Sequence, residues 1–360
     1  MTPTIAPPAT AASRPPVRFG APDARLVASV IVPARDEATR LPALVDALAS
    51  QVGLDGRPLP AGTVEVLVLL NNCRDGSSGA VARAALRHPG LTLHAAEVDY
   101  PPADAHVGHA RRVLMDTASA RLIGVGRPAG AVLSTDADTV PAPDWVAATL
   151  AELVDVDSVG GRELLLPAER AALAPGVRRL YLLDLAYRRG LEELRGLYAP
   201  EPWDPLPRHH HHFGGSLAVT AEAYVAVGGV PPVRTYEDIA LVHTLWRAGR
   251  RLRHSPRVRV HTSARVSGRA DGGLAASFQH WTEHARAGRE PRVEPSDAAE
   301  RRLAAFGRAR AADPTAPLRI DLVDTPNVEG DPITVVIADL RRAIARLRLL
   351  SLAERLARPR

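Results

Sequence analysis

The sequence predicts an α/β fold, a mostly parallel sheet flanked by helices, with a C-terminal helical extension. Two observations carry this prediction. Short uninterrupted apolar runs, Leu26 to Val32 (LVASVIV) and Val64 to Leu70 (VEVLVLL), have the composition of strands buried on both faces. Between such runs lie segments with helical periodicity, and strand-then-helix alternation is the pattern of parallel sheets.

Each element follows in order. Pro33 stops the first strand, and a helix begins near Glu37 with Leu41, Leu44, Val45 and Leu48 at three-to-four spacing. The second strand ends in the turn-rich NNCRDGSSG, and a helix follows through Arg87. Leu91 to Ala95 reads as a third strand, Gly108 to Ala120 as a helix, and Ala131 to Thr135 as a short strand ending at Asp136. Ligands of such sheets sit at the carboxyl ends of the strands, so the turns after Val32, Leu70 and Thr135 are the places to look for chemistry. Beyond Val154 the rhythm changes. Ser158 to Leu166 is strand-like, and Pro175 to Tyr198 is a long helix whose first turn tolerates proline. A Pro-rich loop then leads through His209, His210, His211 and His212 into Phe213 to Val219, expected as a strand. A short helix opens at Thr220 and closes at Gly228 and Gly229. Glu237 to Ala248 is a second one, with Thr235 as a candidate N-cap and Gly249 as its stop. Arg257 to Ser263 alternates like a strand. A polar helical region, a loose stretch over 311–331 and an amphipathic segment over 333–356 complete the chain.

Composition narrows the function. At 360 residues, 46% hydrophobic and 24% charged, the chain is neither collagen-like nor largely disordered. No apolar run approaches the roughly 18 residues of a membrane span. The N-terminal stretch lacks the apolar core of a signal peptide, so a cytoplasmic protein with a disordered leader is expected. Cys73 is the single cysteine, which excludes an internal disulfide and a cysteine-based zinc cluster. The chain has no lysine, and its net charge of +5 is weak evidence for nucleic acid but compatible with a phosphate-bearing ligand.

Asp136 and Asp138 stand where a buried strand ends. If the chain stays extended there, both carboxylates project to one side, where they suit Mn²⁺ or Mg²⁺ with coordination sites left for phosphate oxygens. Alternatively they cap a turn. Glu37 could accept ribose hydroxyls or simply suit a helix dipole. Asn71 and Asn72 are two of three asparagines in the chain, which points either to pairing with base edges or to a turn.

Taken together and in order, these segments resemble glycosyltransferase family 2, built on the nucleotide-sugar-binding GT-A fold. Val30 to Glu37 (VIVPARDE) is similar to the family's opening strand and acidic turn, which places Pro33, Arg35 and Glu37 at the nucleotide. Leu70 to Ser77 (LNNCRDGS) resembles its second turn, which places Asn72 and Asp75 beside the base; the family more often has aspartate at the position of Asn72. Gly108 to Arg112 resembles the helix start that brings an arginine, here Arg111, to the diphosphate. Asp136-Ala137-Asp138 matches the metal motif, and Phe213 to Ser216, Gly228-Gly229 and Glu237-Asp238 resemble acceptor-side elements. The resemblance covers roughly residues 26–265. It implies a GT-A domain over 25–265 between a leader over 1–24 and a mainly helical extension over 266–360. It implies sugar transfer from a nucleoside-diphosphate sugar to a hydroxyl acceptor, inverting, with Asp238 as general base, Glu237 orienting the acceptor or base, and Asp136 also at the nucleotide. Some relatives of this fold, including retaining ones, complete the metal site with a histidine from this part of the chain, which makes His261 a candidate ligand; the alternative is a packing residue of its strand.

The other readings are a sugar-phosphate nucleotidyltransferase, whose usual glycine-rich first loop is replaced here by Pro33 to Glu37, and a catalytically degenerate binding protein. Nucleic acid is not an expected partner. The run His209 to His212 reads most simply as a flexible exposed loop, Trp203 as a candidate for stacking on a sugar, and Cys73 as inert. The 333–356 segment carries Ile333, Val336, Ile337, Leu340, Ile344 and Leu347 on one face, suited to packing on its own domain, a homodimer partner or a membrane surface.

Overall fold

The computed structural model describes residues 17–266, 273–313 and 330–357. Its elements are β1 (Ala28–Ala34), α1 (Leu41–Ala49), β2 (Val64–Asn71), α2 (Ser77–Arg87), β3 (Thr92–Val98), α3 (Val107–Gly124), β4 (Ala131–Ser134), β5 (Thr139–Pro141) and α4 (Trp145–Glu152). They continue as β6 (Ser158–Leu165), α5 (Pro167–Ala172), α6 (Pro175–Tyr198), β7 (Leu217–Thr220), α7 (Ala221–Ala226), α8 (Glu237–Arg247), β8 (Leu252–Thr262) and α9 (Gly273–Arg286). The described chain closes with β9 (Arg292–Val293), α10 (Ser296–Ala312), β10 (Asp331–Pro332), α11 (Ile333–Arg348) and α12 (Leu352–Ala357).

The fold class expected from the sequence is the one found. Eight strands form one sheet in the order β3-β2-β1-β4-β7-β6-β8-β5. β3, β2, β1 and β4 run parallel, as do β6 and β8, while β7 and β5 pair antiparallel to their neighbours. Alternation along the strands sorts the core into two layers. Val30, Val32, Val66, Val68 and Leu133 pack beneath α1, α2 and α4, where Trp145 is wholly buried. Ile31, Leu67, Leu69 and Val132 face α3, α7 and α8, where Trp246 lies. Both tryptophans are the core anchors their helices need.

Several expectations change. β1 runs on through Pro33 instead of ending before it, and β3 and β8 are longer than their apolar cores. Phe213 does not begin a strand: a single 3-10 turn over Gly214–Ser216 precedes β7. Thr220 does cap α7, accepting from the Ala223 N–H, but Thr235 does not cap α8, whose N-cap is Tyr236 in the left-handed region at φ 58°. Of the leader expected over 1–24, residues 1–16 lie outside the described residues. Val17 and Phe19 pack on the second core layer, and Gly20 O accepts from Arg121, because two apolar side chains within reach of that layer gain more by burial than by solvation. The loose stretch expected over 311–331 falls largely outside the described residues, at 314–329.

The C-terminal helices wrap α6. The apolar face of α11 (Ile333, Val336, Ile337, Leu340, Ile344, Leu347) is buried against Tyr187, Leu191 and Leu194 of α6 and Leu303 of α10. That face is therefore closed inside the fold and is not presented to a membrane or a second subunit. Among the described residues no helix is long and apolar enough to cross a membrane.

Candidate active site

A cavity of about 710 Å³ opens at the carboxyl ends of β1, β2 and β4, where a parallel sheet leaves its strand-end turns for ligands. Pro33, Arg35, Glu37 and Asn71 line one side, the turn after β4 and the start of α8 form its floor, and Tyr181, Leu274 and Trp281 from α6 and α9 close the other side. The helical extension thus supplies a wall of the cavity.

The floor is acidic. Glu37, Asp136, Asp138, Glu163, Glu237 and Asp238 face it, against the guanidinium groups of Arg111 and Arg265. Asp136 and Asp138 do not sit on an extended chain: β4 ends at Ser134 and the Thr139 N–H closes a turn on Asp136 O at 3.1 Å. Both carboxylates still reach the cavity. Asp136 Oδ1 pairs with Arg111 at 2.9 Å, and Asp138 Oδ2 with Arg265 at 3.1 Å. Burial, then the neighbouring charge of Asp136, pushes the Asp138 carboxyl up to about 6 despite Arg265.

Arg111 is the organiser of the floor. Wholly buried, it donates to Glu237 Oε1 (2.7 Å), Asp136 Oδ1 (2.9 Å), Gly214 O (2.9 Å) and Ser134 Oγ. Burial opposes its charge, but Asp136, Glu237 and Asp238 keep it protonated. These contacts explain the paired glycines. A Cβ on Gly214 would lie 2.3 Å from Arg111 Cζ, and one on Gly215 would lie 2.8 Å from Glu163 Oε1 and 3.3 Å from Asp136 Oδ2. Asp238 is fixed by two backbone donors, Gly214 N–H to Oδ2 at 2.6 Å and Ile239 N–H to Oδ1 at 2.8 Å. Its carboxyl is raised, by burial first and then by Glu237, against the pull of Arg111.

Glu163, near the end of β6, was not legible in the sequence, because nothing distinguishes it from an ordinary strand glutamate until the fold turns it into the cavity. Its Oε1 is shut off from solvent and has no hydrogen-bond partner among the described residues. Burial, then Asp136 and Asp238, pushes its carboxyl up to about 8.

On the opposite side the two asparagines separate. Asn71 lines the cavity, its Oδ1 buried and without a partner among the described residues and its Nδ2 3.5 Å from His106 O. Asn72 turns away at φ 53°, with both amide atoms on the Tyr100 backbone (Nδ2 to O 2.8 Å, Oδ1 from N–H 3.1 Å). Asn72 is therefore the turn residue, and Asn71 the one able to meet a base. Asp75 also stays out of the cavity: it accepts from the Ala38 N–H (3.0 Å) and the Ser77 N–H (2.9 Å), while the Glu37 N–H donates to Ser77 Oγ (2.8 Å), tying the first two strand-end turns together. Glu37 is held at 2.7 Å by Arg265, a residue from the far end of the expected domain. Arg35 is exposed at the cavity rim and donates to Ala105 O at 3.1 Å.

His261 is not with the aspartates. Side chains alternate along β8, so Thr262 lines the acidic cavity whereas His261 opens on a separate pocket with Ala47, Ser50, Val140 and Arg259. The histidine run is not an exposed loop. His209 and His211 are buried, His209 Nε2 lies 3.1 Å from Ser255 O, His211 Nδ1 accepts from the Glu163 N–H at 2.9 Å, and His212 meets His254, itself on Asp204. Polar rings with such partners are more stable inside than looped out. Trp203 packs against the core beneath Arg251, 5.1 Å from its ring, and does not line the cavity. Cys73 is buried, which raises its thiol.

No protein-family model matches the sequence, and no curated protein matches it. Solved structures similar to this chain include glycosyltransferases. A mannosyltransferase from Pyrobaculum calidifontis in complex with GDP-Man and Mn²⁺ is 20% identical, with 93% of this chain and 87% of that one covered at a TM-score of 0.45. S. aureus TarS 1–349 with UDP is 14% identical (73% and 72% covered, TM-score 0.44). Glucosyl-3-phosphoglycerate synthase from Mycobacterium tuberculosis with Mn²⁺, UDP and phosphoglyceric acid is 17% identical (74% and 81% covered, TM-score 0.42). At these identities and scores the likeness says nothing about the substrates of this chain.

Proposed function

We propose that the chain transfers a sugar from a nucleoside-diphosphate sugar to a hydroxyl-bearing acceptor, with inversion and with the help of a divalent cation. The observation that carries this reading is the acidic floor at the strand ends: Glu37, Asp136, Asp138, Glu163, Glu237 and Asp238 meet there around Arg111 and Arg265, while Arg35, Arg188 and Arg234 stand elsewhere on the lining, an arrangement that suits a hard cation and its phosphate ligands.

The donor would lie across β1 and β2, its base beside Asn71, whose orphaned Oδ1 accepts a hydrogen bond, and its diphosphate near Arg35 and Arg234 at the rim. Glu37, fixed by Arg265, is in place for ribose hydroxyls. Arg111 acts through the acids it holds, keeping Asp136 and Glu237 in position. Asp136 and Asp138 would hold Mn²⁺ or Mg²⁺, which supplies charge neutralisation at the departing diphosphate. Asp238 takes the proton of the acceptor hydroxyl as that oxygen bonds to the anomeric carbon, and the nucleoside diphosphate leaves with the electrons of the broken C–O bond. Two backbone donors hold the Asp238 oxygens in place, and its burial keeps it a stronger base than an exposed carboxylate. The position of His261, away from the aspartates, supports inversion over the retaining alternative.

The test is a thermal shift against uridine, guanosine, thymidine, adenosine and cytidine diphosphates with and without Mn²⁺, followed by sugar-transfer assays of Asp238→Asn. A Mn²⁺-dependent shift with one diphosphate, and a loss of turnover of about 10²- to 10⁴-fold in Asp238→Asn without a fall in melting temperature, are expected. Normal turnover in that variant would remove Asp238 from the mechanism.

A further inference from the structure

β6 and β8 pair in parallel, but their register jumps: Gly161 lies opposite Ser255 and Arg162 opposite Arg259. Residues 256–258 of β8 have no counterpart on β6, and such irregularities re-aim the side chains that follow them. The histidine run bridges the break. His209 donates from Nε2 to Ser255 O on one side of it, and its Nδ1 accepts from the His211 N–H at 3.0 Å. His211 Nδ1 in turn accepts from the Glu163 N–H on the other side. The consequence is that Glu163 enters the cavity floor.

We propose that Glu163 is a further ligand of the divalent cation, joining the aspartates from beside Asp136 in the place that the family resemblance gives to His261. The inference rests on the nucleotide-sugar reading above. Its geometry is that of two carboxylate oxygens flanking one glycine. Asp136 uses Oδ1 on Arg111, while its Oδ2 and the unpartnered Glu163 Oε1 lie 3.3 Å and 2.8 Å from the position that a Cβ on Gly215 would take, so the two oxygens are neighbours and a side chain there would crowd both. Two neighbouring carboxylates repel unless a cation or a shared proton lies between them. Oxygen donors of this hardness suit Mn²⁺ or Mg²⁺.

The experiment is a Mn²⁺ titration of the full chain with each of the five nucleoside diphosphates present in turn, with free Mn²⁺ counted by its electron paramagnetic resonance signal. Wild type and His261→Ala should bind with the same affinity. Glu163→Gln should bind at least about tenfold more weakly, as should Asp136→Asn, since losing even an outer partner of a ligand costs that much. Melting in metal-free buffer shows that the variants are folded; if Glu163→Gln is not, Glu163→Asp, which withdraws the oxygen by one carbon, should show the same weakening. Wild-type affinity in the Glu163 variant alongside loss in Asp136→Asn overturns the assignment of Glu163, as a merely shared proton would, and leaves the nucleotide-sugar reading standing. A wild-type chain that binds no Mn²⁺ with any of the five diphosphates overturns both.

Discussion

Two buried clusters of charge in this molecule use the same residue types and come out opposite. Beside the start of β8, Asp204 is inaccessible to solvent and is contacted by Arg208 (3.4 Å), Arg253 (3.0 Å) and His254 (2.9 Å), while Arg195 pairs with Glu201 at 3.0 Å. Burial there opposes ionisation, but His254, Arg208 and Arg195 outweigh it and hold the Asp204 carboxyl well below the usual range. In the cavity, burial first and the neighbouring acids second push Glu163 and Asp138 the other way, against the weaker pull of Arg111 and Arg265. A cluster that balances itself serves the fold, whereas one left with excess charge is a place for a ligand. Burial alone would not have separated the two.

The largest test of this contrast is Arg208→Met. It strips a buried carboxylate of a partner and should cost about 3–5 kcal/mol of stability in urea unfolding. Next comes acidification. Burial, then the neighbouring His254, lowers His209 to about 3. The unfolded histidine takes its proton near 6.5, so between these values the unfolded chain binds more protons, and stability must fall as pH falls. At pH 5 His209 alone should cost about 2 kcal/mol, with His210, His211 and His212, also lowered by burial, adding in the same direction. Urea midpoints at pH 7 and 5 measure it.

The same distinction applies to the two asparagines. Asn72→Ala removes two satisfied hydrogen bonds and should cost about 1–2 kcal/mol, with nucleotide binding following only the stability loss. Asn71→Ala should barely move the melting temperature while changing which diphosphate stabilises the chain. The smallest effect is expected from Glu163→Gln without metal. Replacing a carboxyl group whose Oε1 is buried without a partner among the described residues should leave stability within about 1 kcal/mol of wild type, or raise it. A loss as large as that of Arg208→Met would erase the contrast.

The sequence by itself determined β1 to β4, the helices between them and the strand ends where a ligand would lie, because apolar run length and helical periodicity act over a few residues. The strand-end positions of Pro33, Glu37, Asn71, Asp136 and Asp138 came from this local pattern, as did the acids that open α8. Tertiary structure alone decided the rest. Whether Asn71 or Asn72 meets a ligand turned on a left-handed backbone at one of them. His261 fell on the wrong side of β8 because strand side chains alternate. Arg111 was claimed by acids from β4's turn and α8 rather than by a bare rim. Glu163 and the histidine run became neighbours only across a register break between β6 and β8. Such outcomes depend on which charges and backbone groups meet over many tens of residues, and no local spacing carries that information.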